Sequence, residues 1–172
     1  MSSTAYGTST NRTNAPAFRA VVALPVQASV NTVWDVITRP DVHYCEWDKN
    51  VRSATLDTPV MRLGTALTVD FAVLPVPIVQ NITSFQEKRK IVFDSLLHGP
   101  IDEEGKHYGE IEDGLLRFHF TLSEDPGGAV IERGVMIWGP RQFAAEFGAY
   151  QAESLVTDTR SLVRHLESTS IK

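Results

Sequence analysis

The chain has 172 residues, 42% apolar and 22% charged, which suits one globular domain with a sizeable core and leaves little room for a second. A net charge of −5 with no Lys/Arg cluster argues against a nucleic-acid surface or an anionic membrane as the main partner. Cys45 is the only cysteine, which excludes a disulfide framework and a multi-cysteine metal site, and no run approaches the roughly 20 apolar residues of a membrane span.

Residues 1–15 are rich in Ser, Thr and Asn and lack an apolar run. They are expected to form a disordered tail rather than a signal peptide, with a domain over 16–168 and a cytoplasmic location. Residues 18–24 (FRAVVAL) form a β-type run closed by Pro25. Ser29 is a good N-cap, and Val30, Val33, Trp34 and Ile37 follow at the spacing of one buried helix face. Arg39-Pro40 stops that helix. Asp41 is expected to cap a second short helix with Val42, Cys45 and Trp47 turned inward.

The pattern then changes to period two. Strands are expected at 51–56, 64–74, 79–85, 91–97, 115–122 and 129–138. In 64–74, Leu67, Val69, Phe71 and Val73 share a face until Pro75 and Pro77 interrupt it. In 115–122, Leu116, Phe118, Phe120 and Leu122 alternate with Arg117, His119 and Thr121. Residues 98–114 form an acidic, Gly-punctuated segment, either a hairpin turning at Asp113-Gly114 or a flap over an opening.

Gly139-Pro140 opens a long amphipathic helix over 141–167. Ala144, Phe147, Gly148, Gln151, Leu155, Thr159, Leu162 and Leu166 form its stripe. A Gly, a Gln and a Thr within the stripe suit a helix lying over a cavity better than one lying on a solid core. The fold class is therefore α+β. A curved antiparallel sheet of about seven strands wraps around the C-terminal helix, with two short helices after strand one.

This order resembles the START-like helix-grip superfamily, also called SRPBCC or polyketide cyclase/dehydrase-like. The residues that carry the resemblance are Leu24-Pro25 closing the first strand, the 28–37 helix (ASVNTVWDVI), and Trp47 within 44–51 (YCEWDKNV). Gly64 heading a long strand and the closing helix complete it. The superfamily includes lipid carriers, hormone receptors, co-chaperone domains and aromatase/cyclases, so the resemblance implies a fold and an apolar ligand while leaving activity open.

No nucleophile elbow, zincin, P-loop or dinucleotide fingerprint occurs. His43, Glu46 and Asp48 have metal-ligand residue types but read as a solvated face, while His98, His107 and Glu110 would form a site only if the acidic segment is a hairpin; no metal or cofactor is expected. If Phe118 and Phe120 face inward, Arg117 and His119 face outward, and Asp70 does so opposite Phe71. Arg133 is ambiguous, since Val135 and Ile137 share its parity while Met136 and Trp138 are equally apolar. The candidate ligand wall is Trp47, Phe71, Phe93, Tyr108, Phe118, Phe120, Trp138, Phe143 and Phe147. The polar candidates for chemistry are Arg133, Gln151, Tyr150 and Glu110.

The expected function is a cofactor-independent enzyme of secondary metabolism. It would bind a polyketide- or terpenoid-like molecule and promote cyclisation, dehydration or isomerisation. The alternatives are a non-catalytic carrier or sensor of an apolar ligand, which predicts an entirely apolar wall, and a co-chaperone-type interaction module, which predicts a filled core. A homodimer is compatible with the sequence; nucleic acid is not an expected partner.

Overall fold

The computed structural model of the protein describes residues 15–74, 76–98 and 110–169, the side chains of 98 and 110–113 excepted. The expected tail lies outside the described residues. The chain order is β1 (Phe18–Val26), α1 (Val30–Thr38), α2 (Pro40–Trp47), β2 (Val51–Leu56), β3 (Ala66–Phe71), β4 (Ile78–Gln86), β5 (Lys90–His98), β6 (Glu110–Asp125), β7 (Gly128–Trp138) and α3 (Arg141–Thr169). The seven strands make one antiparallel sheet ordered β1-β7-β6-β5-β4-β3-β2. The two short helices and the long closing helix stand where the sequence predicts them.

Local chemistry sets the boundaries. Ser29 caps α1, its Oγ accepting the Thr32 N–H at 3.1 Å. Pro40 ends α1 and also opens α2 at its first turn, where a missing N–H costs nothing. Asp41 therefore sits inside the helix rather than capping it, and Val42 turns out to solvent. The predicted turn at Asp113-Gly114 does not form. β6 runs straight through Gly114, because the ladder to β5 continues past an irregularity to pair His98 with Glu110.

Further irregularities between Val51 and Ser53 and between Ile82 and Ser84 bend the sheet. Helix α3 packs on β1 and β7 at one edge, and α2 packs on β2 at the other. Gly148 makes the first of these contacts close: a methyl group there would overlap the Phe18 ring. The buried apolar residues fall into two clusters. One gathers Val33, Trp34, Ile82, Ile131, Leu162 and Leu166; the other gathers Val135, Ile137, Ala144 and Leu155. Residues from both clusters line a hollow beneath α3.

Candidate functional site

The hollow is a cavity of about 390 Å³. Its floor is the concave face of β3 to β7, where period two aligns Leu67, Phe71, Gln80, Phe93, Ser95, Leu116, Phe118, Phe120 and Arg133. Its roof is one face of α3, with Phe143, Phe147, Gln151, Ser154, Leu155 and Asp158 at helical spacing. Tyr44, Trp47 and Asp48 close the α2 end. Val73, Leu74, Leu96 and Tyr150 belong to the lining yet reach solvent, Val73 being 65% and Tyr150 56% exposed.

A polar group interrupts this apolar lining. Arg133 is only 7% exposed, and its guanidinium lies 4.8 Å from the Phe120 ring centroid and 5.5 Å from that of Trp47. It donates one long hydrogen bond, 3.4 Å, to Thr159 Oγ1. That hydroxyl in turn donates to the Leu155 carbonyl one helical turn earlier. Among the described residues no carboxylate approaches Arg133 to ion-pair distance. Arg133 is thus a buried cation whose charge is only partly compensated by the described residues.

Three acidic groups feel this charge. Burial pushes the Asp158 carboxyl up to about 6; the neighbouring Asp48 raises it further and Arg133 opposes. Burial likewise raises Asp48, against a hydrogen bond from the Asn50 N–H and the charge of Arg133. Burial raises the Tyr44 phenol well above its usual range, with Arg133 opposing. Tyr44 also stacks on Trp47 with ring centroids 4.6 Å apart. On the sheet side, Gln80 is buried and makes no side-chain hydrogen bond among the described residues. Together these groups give one fixed cation, a carboxyl that titrates just below neutrality, and several open hydrogen-bonding positions.

Of the residues singled out from the sequence, Arg133, Gln151, Trp47, Phe71, Phe93, Phe118, Phe120, Phe143 and Phe147 line the cavity. Tyr150 does so only at the mouth. Trp138 does not. Its register partner is Leu115, it lies one residue out of phase with the inward-facing Ile137, and the Arg117 guanidinium covers its ring at 5.4 Å. Arg117 is held there by Asp94 through two hydrogen bonds of 2.7 Å. Tyr108 lies outside the described residues, as do the side chain of Glu110 and the rest of the His98, His107 and Glu110 group.

His119 faces outward as expected. It is nonetheless buried, seated over Gly134 with Nε2 at 3.2 Å from Glu132. Asp48 corrects the expectation of a solvated corner, being 4% exposed. Tyr44 and Asp158 were not singled out from the sequence, although each carries a spacing signal: Tyr44 is three residues before Trp47, and Asp158 three and seven after Leu155 and Gln151.

No protein-family model matches the chain, and no curated protein matches it in sequence. Solved structures do match in shape. Protein MLL2253 from Mesorhizobium loti is 16% identical, with a TM-score of 0.63 over 88% of this chain and 98% of that one. DynU16, from the dynemicin biosynthetic locus, is 18% identical with a TM-score of 0.62 over 88% of this chain; the match spans 48% of DynU16, about half its length. Ara h 8.0201 is 12% identical, with a TM-score of 0.61 over 88% of this chain and 98% of that one. Likenesses at such identities establish the fold alone, a helix-grip fold in which a curved antiparallel sheet closes on a long C-terminal helix.

Proposed function

We propose that the protein binds a hydrophobic, oxygen-bearing small molecule of polyketide or terpenoid type in this cavity. There it promotes isomerisation, dehydration or cyclisation without a cofactor. The observation that carries the reading is Arg133, a buried guanidinium facing open space with one long hydrogen bond to its name. Aromatic walls accept an apolar skeleton, and the guanidinium fixes a carbonyl or carboxylate oxygen. The likeness to a protein from a biosynthetic locus supports a guest from secondary metabolism.

The chemistry follows from two neighbours. A carboxyl titrating at about 6 is mostly ionised at neutral pH and is still a competent acid once protonated. Ionised Asp158 takes a proton from the carbon beside the bound carbonyl. The C–H pair becomes a C=C bond and the carbonyl π pair moves onto oxygen, where Arg133 stabilises the charge. Returning the proton to a different carbon completes an isomerisation. Returning it to a β-hydroxyl expels water and restores the carboxylate. Phe118, Phe120 and Trp47 hold the chain in a folded conformer, and Gln151 offers a second donor.

An entirely apolar wall would have favoured a carrier, and a filled core an interaction module. A cavity of about 390 Å³ containing Arg133 and Asp158 fits neither as well as it fits an enzyme. The test is a panel of aromatic and polycyclic ketones, titrated by calorimetry and then incubated with the protein and separated by chromatography. Binding and turnover by the native chain, with turnover abolished in Asp158→Asn, is the expected result. Binding without conversion of any member supports the carrier; no binding at all overturns both.

A further inference from the structure

A second constellation lies outside the cavity, where α2 meets the end of α3. His43 and Glu46 sit three residues apart on α2, and His165 faces them from α3. His43 Nδ1 is 2.9 Å and His165 Nε2 is 3.3 Å from the same carboxylate oxygen, Glu46 Oε2. One nitrogen or oxygen from each residue lies within 4.8 Å of the other two. The imidazole rings are 6.2 Å apart between centroids and tilted by 54°. None of the three lines the cavity.

We propose that His43, Glu46 and His165 form a binding site for a divalent transition metal, zinc above all. Two imidazole nitrogens and one carboxylate oxygen are a donor set that zinc accepts and that magnesium or calcium does not favour. A tetrahedral zinc ion with bonds of ~2.0–2.1 Å holds its ligand atoms roughly 3.3 Å apart. The His165 to Glu46 separation already has that value, and the His43 to Glu46 separation needs to open by a few tenths of an ångström.

Two further features support the site. Two rings aimed at one oxygen is an arrangement in which a single cation replaces the protons that otherwise bridge them. Glu46 presents its carboxylate oxygen to both rings from the α2 side. Half of its side chain is exposed, which leaves an approach for the ion and a fourth position for water.

The ion's effect follows from its place. It joins α2, which carries Tyr44 and Trp47, to α3, which carries Asp158 and Thr159. Zinc is thus a clamp across the end of the cavity that holds the Arg133 group, and it does not take part in chemistry there.

The experiment uses the full chain without an affinity tag, stripped with a chelator and then dialysed against zinc chloride. One zinc per chain at micromolar free metal is expected, with melting raised by several degrees at saturation. Cobalt chloride in place of zinc gives visible absorption from a low-symmetry nitrogen and oxygen site. Glu46→Gln and His165→Asn are each expected to lower zinc affinity at least tenfold while melting within a few degrees of the native chain in chelator. Absence of stoichiometric binding overturns the proposal. So does undiminished binding in either variant, which would place the ion on other residues. Should one variant fail to fold, the other decides.

Discussion

Replacing Arg133 with Met separates a binding role from a structural one. The substitution keeps the apolar stem and removes the charge. The protein loses a hydrogen bond to Thr159 which, at 3.4 Å, sits at the low end of ~0.5–1.5 kcal/mol. It also loses contacts with the Phe120 and Trp47 faces, together worth about 1–2 kcal/mol. Against this, the desolvation of a buried guanidinium, of order several kcal/mol, disappears. Thr159 keeps its bond to the Leu155 carbonyl, so no hydroxyl is orphaned. Asp158, relieved of the opposing charge, takes up a proton more readily. The two sides offset to within about 2 kcal/mol, so the ligand-free Tm moves by less than about 8 °C. Affinity for a ketone or carboxylate ligand falls at least about thirtyfold, the ~2 kcal/mol of a hydrogen bond to a charged group. Thermal unfolding by circular dichroism and calorimetric titration read the two effects separately. A drop in Tm beyond about 15 °C with unchanged affinity would refute the reasoning and make Arg133 a structural residue.

Three further outcomes are expected. The Asp158 carboxyl has a folded value of about 6 against an ordinary 3.8, so the native state binds more protons between those values; its contribution to stability is full below pH 3.8 and is lost as pH rises through 6. Asp158→Asn therefore flattens the fall in Tm between pH 4 and 7 and melts above the native chain at pH 7.5, as scanning calorimetry at stepped pH checks. Gly134→Ala places a methyl into the His119 ring and costs about 1–3 kcal/mol, visible as an earlier urea midpoint with unchanged slope; an unchanged midpoint contradicts the packing described. Ser29→Ala removes the α1 cap and lowers stability by about 1 kcal/mol without altering ligand affinity, by the same denaturation and titration assays.

The sequence disclosed the fold where one face of an element is clearly apolar. Residues 115–122 alternate cleanly, so Phe118 and Phe120 were placed inward and Arg117 and His119 outward, as found. Helix α3 was legible for the same reason, and its unusual stripe residues have separate explanations: Gly148 meets Phe18, Gln151 lines the cavity, and Thr159 holds Arg133.

β7 was ambiguous because both of its faces carry apolar residues, and Trp138 on the convex face is itself buried. Arg117 covers Trp138 on the convex side, so an apolar residue there looks no different from one facing the cavity. That hid the orientation of Arg133 and misplaced Trp138. Asp48 and Asp158 were not read as cavity residues for a different reason: an acidic residue at a helix edge ordinarily faces water, whereas these two line the cavity that holds Arg133. The Asp113-Gly114 pair carries a genuine local turn preference, which pairing along β5 and β6 overrides.

The contact between Gly148 and Phe18 limits what the cavity can admit. With no side chain to act as a spacer, the α3 backbone is riveted to β1 near the helix's first third, so the roof cannot lift as a whole. Any widening is left to the two turns ahead of the rivet, with Phe143 and Phe147 stacked at 5.4 Å, and to the rim at Val73 and Leu74. Such a chamber sorts visitors by girth and tolerates variation in their length, because a slender molecule can leave its far end projecting past the rim.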